Sequence, residues 1–384
     1  MLNRSLPFFY FVFLKGKKHV KIIEVKNKKE QKKFLDFRRK IYRRSSEYVD
    51  NNFFLLKELF DKKTSFIKDK KVYAFYVENK DVVLCQGVVV YSKKLPDYIQ
   101  LCFFESEKKQ QEAVKMLLKK AIQLGKRYGC KRLVVGLYGH VNYGLGLLCS
   151  DYGEKNSFSS NANPKYYNDY FEKAGFKKIM LNTYKTEVDY SRIEKYKFLI
   201  EKLNRNYTFK QFDKRQFDYF SKIYTDLNNA AFKNHKYYYE RKYEEDKEML
   251  KELFLFMNED SLIFAFDGDK PVGFVMWYPD YNELAVPGEV FGSKHFFKNK
   301  VSGKKIRTGK LMEYGILDEY RKSGLVMGLL NQVFLSVKKR NITRIESSWI
   351  LEENKDSNSV CKELCDGLYR KYVVYEMSLQ NRLR

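Results

Sequence analysis

The stretch "LDEYRKSGLVMGLLNQVF", residues 317–334, joins an apolar, strand-like run to an amphipathic helix. The junction itself consists of Arg321, Lys322, Ser323 and Gly324. Glycine has no Cβ, so its backbone can approach a bulky group closely. The first N–H groups of a helix have no intrahelical partners, and the helix dipole adds partial positive charge there. The junction is therefore a candidate seat for a phosphate group, with an ordinary strand-to-helix turn as the alternative.

The composition indicates a globular protein that is long enough for two domains. The chain has 384 residues, of which 44% are hydrophobic and 17% aromatic, so packed cores are well supplied. The charged fraction of 32% is spread along the chain instead of forming one disordered block.

The net charge of +26 leaves two interpretations open. Residues 15–44 are rich in Lys and Arg, which is compatible with a nucleic-acid or anionic-membrane footprint. The same stretch places Phe34, Phe37 and Ile41 at helical spacing, which favours the solvated face of an amphipathic helix. We find no RNA-binding signature in the sequence and expect no nucleic-acid partner. The charge also suits an anionic small ligand.

Cysteine and histidine give no sign of a disulfide or a metal site. The six cysteines are scattered, and no secretory context supports disulfides, so we expect reduced thiols and a cytoplasmic protein. Cys361 and Cys365 share a helix face, but no other Cys or His lies near them in sequence. The apolar run at residues 8–14 is too short to span a membrane. Residues 1–20 are predicted to be a tail, and whether they belong to the mature protein stays open.

The order of predicted elements occurs twice along the chain. Each pass reads strand, helix, several strands, long helix, strand, helix and strand. Duplication of a mixed α+β unit is the simplest explanation. The predicted domains are residues 21–190 and 191–384, and because no flexible linker separates them we expect them to pack together.

This repeated order, with the Arg-x-x-Gly junction after the fourth strand of its unit, resembles the GNAT (Gcn5-related N-acyltransferase) superfamily. The segments "ESSWILEENKDS" and "LYRKYVVYEM" resemble its fifth strand and its closing strand, and "NPKYYNDYFEKAGF" resembles the ending of tandem members. The resemblance implies two tandem acyl-CoA N-acyltransferase domains, each a three-layer α/β/α sandwich. It implies acetyl-CoA as acyl donor and requires no metal.

The resemblance also implies the residues that hold the donor. The phosphate turn would consist of Arg321, Ser323, Gly324, Leu325 and Val326. Ile316 and Leu317 would pair through their backbones with the pantetheine arm, and Asn354 would touch that arm. The first domain has "CFFESEKKQQEAV" at the corresponding place, without glycine and with Glu105 and Glu107 at the expected helix start. We therefore expect it to be a degenerate copy that repels an anionic donor.

The catalytic residues are harder to assign. A strand carboxylate often deprotonates the acceptor amine in this family, and Glu313 or Glu346 matches that role, with water as a further possibility. The position of the family's acidic tyrosine falls near Cys361 and not on a Tyr. Tyr369 and Tyr372 lie close to it, with a core or cleft-wall role favoured for both, and protonation of the leaving thiolate by water stays open.

The predicted function is N-acyl transfer, most simply of acetyl from acetyl-CoA to a primary amine of a small molecule or peptide. A longer acyl or an aminoacyl donor is a variant of that prediction. The alternative is a non-catalytic basic binding module for nucleic acid or an acidic partner. Neither the acceptor nor the oligomeric state can be read from the sequence. Residues 283–309 are predicted to form an acceptor loop.

Overall fold

The computed structural model describes residues 19–253, 257–295, 297 and 305–380. Most of the predicted N-terminal tail and part of the predicted acceptor loop lie outside them. Within these residues one mixed sheet of fourteen strands crosses the molecule.

The strands are β1 (Val20–Glu24), β2 (Lys70–Asn79), β3 (Val82–Ser92), β4 (Tyr98–Ser106), β5 (Arg132–Val135), β6 (Leu147–Leu148), β7 (Lys177–Glu187), β8 (Thr208–Gln211), β9 (Leu262–Asp267), β10 (Lys270–Pro279), β11 (Thr308–Ile316), β12 (Arg344–Ser347), β13 (Ile350–Leu351) and β14 (Gly367–Ser378). The helices are α1 (Lys28–Arg43), α2 (Phe53–Asp61), α3 (Ser65–Lys68), α4 (Gln111–Arg127), α5 (Tyr166–Lys173), α6 (Tyr190–Glu194), α7 (Lys197–Asn206), α8 (Phe217–Phe232), α9 (Tyr243–Leu253), α10 (Leu325–Lys339) and α11 (Lys355–Leu364).

Helices cover both faces of the sheet in each half of the chain. In the first half, α1 to α3 pack around Phe34 on one face, and α4 and α5 pack around Leu117 on the other. In the second half, α8 and α9 pack around Tyr224, while α7, α10 and α11 pack on the opposite face around Val333. The predicted mixed, three-layer α/β/α architecture is confirmed.

Local sequence explains where several elements begin and turn. Asn27 caps α1 by accepting a hydrogen bond from the Glu30 N–H at 3.0 Å, and the Glu30 side chain accepts one from the Asn27 N–H at 3.2 Å. This reciprocal pair is a capping box. The predicted hairpin at residues 267–270 is confirmed, since Lys270 pairs with Asp267 at the turn between β9 and β10.

The pairing of strands crosses between the two halves at the centre of the sheet. β14, the last strand of the chain, lies between β5 and β7, and β7 in turn lies between β14 and β12. Tyr375 is paired with Val135 of the first half, and Ile345 of the second half is paired with Thr186 of β7. Each half therefore completes its sheet with the last strand of the other half.

The junction at residues 317–334 is longer than the sequence indicates. β11 ends at Ile316, where a strand to Tyr320 is predicted, and a 3-10 helix occupies Asp318–Ser323 before α10 begins. The Tyr320 N–H donates to the Leu317 carbonyl at 2.9 Å, which turns the chain out of the sheet.

Candidate active site

A cavity of about 590 Å³ lies between the two halves. The first half contributes residues of α2 and the segment around Tyr143. The second half contributes residues of α8, α9 and β11 and the start of α11. Aromatic side chains, among them Phe66, Phe232 and Trp349, form much of the wall. A cleft of this size with a few polar groups suits a small ligand.

Glu313 of β11 lines this cavity and receives hydrogen bonds from both halves. Its Oε1 accepts from the hydroxyl of Tyr224, which is fully buried in α8. Its Oε2 accepts from the side-chain amides of Asn228 at 3.1 Å and of Asn142, in the first half, at 3.3 Å. Burial, together with the Glu313 charge, raises the pKa of Tyr224 well above its usual value, so its hydroxyl stays protonated. The carboxylate is thus held in place inside the cavity.

The backbone edge of β11 that faces β12 opens into the same cavity. The two parallel strands pair only between Thr308–Leu311 and Arg344–Ser347, after which they separate. A bulge next to Met276 shifts the register against β10, so Met312 has no direct partner there. Leu311, Met312, Glu313 and Tyr314 all line the cavity although they are consecutive. Side chains alternate between the faces of a strand, so the cavity must reach the strand edge.

The phosphate turn predicted from the sequence forms a helix start. Gly324 has φ of 79°, a left-handed conformation that favours glycine. The Ser323 hydroxyl accepts from the Leu325 N–H at 3.2 Å, while Arg321 is half exposed and contacts Asp318 at 2.9 Å and the Ala231 carbonyl at 3.0 Å. The turn thus presents a helix N-terminus with a cation close by.

Asn354 stands at the opposite side of the open strand edge. It precedes α11 and caps it, since its Oδ1 accepts from the Ser357 N–H at 3.1 Å. Asn354 is exposed and lines the cavity, so it combines the capping role with access to a ligand. Tyr314 lines the cavity beside Ser357 and Cys361 of the same helix. Burial raises the pKa of Tyr314 to about 12.

Glu346, the second predicted carboxylate, lies in a different environment. It is buried in β12, where its Oε1 contacts the buried Nζ of Lys310 at 2.5 Å and its Oε2 accepts from the hydroxyl of Ser157. Lys310 also donates to Ser160 at 2.9 Å. Glu346 does not line the cavity. The buried ion pair lies within the second half, and the hydroxyls of Ser157 and Ser160 connect it to the first half by hydrogen bonds.

In the first half, the wedge between β4 and β5, which corresponds to the gap between β11 and β12, is filled by tyrosines. The Tyr167 hydroxyl accepts from the Ser106 N–H at 2.9 Å, and the Tyr170 hydroxyl accepts from the Gln110 N–H at 3.0 Å, just before α4. Tyr166 donates to the Ser106 carbonyl at 2.6 Å. The backbone groups that would face a ligand there are therefore already paired. Glu105 is buried and contacts Arg38, which also contacts Asp50, so Glu105 does not present a free carboxylate that would repel an anionic donor.

The second carboxylate at that place is neutralised as well. Glu107 contacts Lys40 at 2.9 Å and Arg44 at 3.0 Å. α4 begins at Gln111, so neither acidic residue starts the helix. The tyrosine side chains, and not uncompensated negative charge, close this half.

The structure brings together some of the predicted residues and separates others. Glu313 and Asn354 line the cavity, while the turn from Arg321 to Val326 lies outside its lining. Ile316 is buried and pairs with Gly273, and the Leu317 N–H donates to the Val272 carbonyl at 3.0 Å.

Sequence reasoning missed Tyr224, Asn142, Tyr314 and the acidic residues of α2 and α9. Of these residues, only Tyr314 could have been found from the sequence, because it directly follows the candidate base Glu313.

No group of three His, Cys, Asp or Glu side chains suited to a metal ion occurs in the described part of the chain. Among the described helices, none is long and apolar enough to cross a bilayer.

Comparison with known proteins agrees with the fold. Residues 220–365 match the acetyltransferase (GNAT) family. Protein YghO of Escherichia coli (strain K12) is 24% identical over 251 residues, which are 62% of this chain and 64% of YghO. The chain therefore matches less than two thirds of the length of that relative.

Two solved structures are similar to nearly the whole chain. A tandem GNAT protein from the clavulanic acid biosynthesis pathway has a TM-score of 0.55 at 9% identity, covering 94% of this chain and 99% of that one. A probable N-acyltransferase from Enterococcus faecalis V583 has a TM-score of 0.53 at 9% identity, covering 94% and 73%. At these identities the likeness concerns the fold. Residues 220–365 therefore carry a domain of the acetyltransferase (GNAT) family, and the chain as a whole has the fold of tandem GNAT proteins.

Proposed function

We propose that this protein is an N-acyltransferase that moves an acetyl group from acetyl-CoA to a primary amine. The observation that carries the proposal is the open edge of β11, which leads from the cavity with Glu313 toward the helix start at Gly324. The family match of the second half supports an acyltransferase in general. A basic, non-catalytic binding module would give no reason for a fixed carboxylate at the end of an open strand edge.

The residues of the second half fit an acyl-CoA. Backbone N–H groups at the start of α10, with the dipole of that helix, would hold the pyrophosphate, and Arg321 would add a cation. The unpaired edge of β11 would take the pantetheine arm as an added strand. Asn354 would donate to that arm from the other side.

Amine acylation would use the chain's own groups. Glu313 would accept a proton from the ammonium form of the acceptor, directly or through one water, so that the nitrogen lone pair is free to attack, and the nitrogen would lose its second proton to water as the amide forms. The amine nitrogen bonds to the carbonyl carbon as the carbon–sulfur bond breaks, and the sulfur leaves as a thiolate. Tyr314, protonated up to about pH 12, would return a proton to it. Backbone N–H groups of β11 would polarise the carbonyl.

The first half would shape the acceptor side and bind no donor. Its tyrosines occupy the wedge, whereas Asn142 reaches across to Glu313. We keep residues 21–190 and 191–384 as the proposed domains, a division that falls just after Tyr190, the first residue of α6. A cytoplasmic location stays a prediction.

The direct test is an assay for free thiol and amide product with acetyl-CoA, a longer acyl-CoA and a panel of primary amines, including a lysine peptide. We expect thiol and amide in equal amounts. Glu313→Gln should lower the rate by about 10²–10⁴-fold, because it removes the general base and keeps the side-chain shape.

Glu346→Gln is the control for this assay. It should lower the free energy of unfolding, since Lys310 loses its buried partner, while the folded fraction keeps its activity. Thiol release without amide, or no release with any amine, would contradict the proposal.

A further inference from the structure

The charge of the cavity lining is opposite to the charge of the protein. Lys and Arg number 74 of 384 residues, yet none of the described residues that line the cavity is Lys or Arg. Four of the lining residues are glutamates, namely Glu58, Glu248, Glu252 and Glu313. The one lining histidine, His235, has its pKa lowered by burial to about 4, so it is neutral at physiological pH. The lining is therefore acidic inside a strongly basic protein.

None of the four glutamates has a cationic partner among the described residues. Glu313 is held by Tyr224 and two amides, and Glu248 accepts from the Ser65 N–H at 2.7 Å and from its hydroxyl at 2.9 Å. Glu58 of α2 and Glu252 of α9 both line the cavity and their carboxyl groups interact, and neither forms an ion pair within the described part of the chain. Two interacting carboxyl groups share a proton unless a nearby cation compensates their negative charge.

Buried polar atoms in the same lining are also without partners. The Oγ1 of Thr64, next to Ser65, is inaccessible to solvent and forms no hydrogen bond with the described residues. The same is true of His235 Nε2, whose ring accepts the Tyr237 N–H at its Nδ1. Because solvent does not reach either atom, both lie behind the surface of the lining and neither faces the open cavity.

We propose that the acceptor is a diamine or another amine with a second positive charge, and that this second charge is seated between Glu58 and Glu252. One amine would then lie at Glu313, and the aromatic wall with Phe66 and Tyr143 would contact the apolar chain between the two nitrogens. The rings of Phe66 and Tyr143 stack with their centroids 3.7 Å apart, so the lining at this place is aromatic and apolar. This inference rests on the proposed function for the assignment of the cavity to the acceptor.

The test is calorimetric titration of 1,5-diaminopentane and of pentylamine, without donor, into the whole protein. The two probes have the same carbon chain and differ by one charge. We expect the diamine to bind at least about tenfold more tightly, because its second ammonium group makes a charge-assisted hydrogen bond that pentylamine cannot make. Glu58→Gln and Glu252→Gln, measured separately, should each remove most of this preference. Glu244→Gln, an exposed change on α9 that does not line the cavity, should leave it intact.

Equal affinity for the two amines, no binding of either, or an unchanged preference in both variants would overturn the inference. Thermal unfolding of each variant shows whether it is folded, and the comparison of the two probes needs no variant at all. Titration of acetyl-CoA into the same protein separates the two claims. Acetyl-CoA binding without diamine preference contradicts only the acceptor class, whereas diamine preference without acetyl-CoA binding contradicts the proposed function.

Discussion

Glu313 and Glu346 look alike in the sequence, since both stand on strands beside the edge that is predicted to hold the donor. Strand periodicity indicates which face a side chain occupies, but not which distant residue meets it. The partners that separate them, Asn142 for Glu313 and Ser157 for Glu346, come from the first half of the chain. Only the tertiary structure shows that Glu313 lines the cavity and Glu346 is buried in an ion pair.

At the same scale, Glu58 should make the stability of the protein depend on pH. Burial, together with the carboxylate of Glu252, raises the pKa of Glu58 from 4.5 to about 8. The folded chain keeps a proton that the unfolded chain loses between these values, so the free energy of unfolding falls as pH rises through this window. The charges of Glu248 and Asp61 also raise the pKa of Glu58. The pKa of Tyr143, which faces Glu58 as well, is raised well above its usual value by burial, so its hydroxyl stays protonated.

Urea unfolding of the wild type and Glu58→Gln across pH 4.5–8 measures this effect. The variant should gain stability relative to the wild type as pH rises, and the difference should level off above about pH 8. Glu244→Gln serves as the control on α9 and should show no such trend. A difference that does not change with pH would contradict the shifted pKa of Glu58.

At the scale of elements, the wedge of the first half depends on hydroxyl groups of α5. Tyr167 is buried and pairs with the Ser106 N–H at 2.9 Å and with Glu105 at 2.8 Å. Tyr167→Phe leaves that N–H without a partner, which should lower the free energy of unfolding by about 1–3 kcal/mol. Tyr219→Phe, an exposed change on α8, should cost less than about 0.5 kcal/mol.

Chemical denaturation of both variants measures the difference. Equal stability of Tyr167→Phe and the wild type would show that the hydrogen bond from the Ser106 N–H to the Tyr167 hydroxyl does not stabilise the fold. The stoichiometry of acetyl-CoA should stay at about one per chain in either variant, because the first half offers no second seat.

Some elements could be predicted and others could not, for physical reasons. The β9–β10 hairpin and α10 were predicted, because turn residues and apolar periodicity are local signals. Helices α2 and α9 were not assigned, although they carry Glu58 and Glu252. The start of the 3-10 helix at Asp318–Ser323 falls in the predicted strand, because its only apolar residue, Tyr320, continues the alternation of β11, while residues 321–323 fall in the predicted junction.

At the scale of the molecule, the exchange of β7 and β14 should prevent either half from folding alone. Without β14, the first half exposes an edge of β5 and both edges of β7, and unpaired edges are prone to aggregation. We expect fragments 1–190 and 191–384 to be unfolded or insoluble separately and to form a soluble complex when produced together. Circular dichroism and sedimentation measure this. A cooperative unfolding transition in either isolated fragment would contradict the prediction.

The duplication could be seen in the sequence, whereas the exchange could not. The order of elements repeats because each half keeps its own local patterns. β7 and β14 each carry a run of consecutive apolar residues, at 179–181 and 372–375, and backbone hydrogen bonds between strands do not depend on which half supplies the strand. The placement of the acceptor cavity between the halves follows from this interlocked sheet.

The measurement that tests the central claim most directly is calorimetric titration of acetyl-CoA into the wild type, Gly324→Asp and Gly324→Asn. Asn tolerates the left-handed backbone at this position as well as Asp does, and in both a Cβ would meet only the flexible Leu199 side chain, at 3.2 Å. The two variants therefore differ in one negative charge at the proposed phosphate seat.

We predict one site per chain in the wild type, with a Kd on the order of micromolar. Gly324→Asn should retain binding within a few-fold, and Gly324→Asp should weaken it by more than about tenfold. Absence of binding to the wild type, or equal affinity of the two variants, would contradict an acyl-CoA site at this turn.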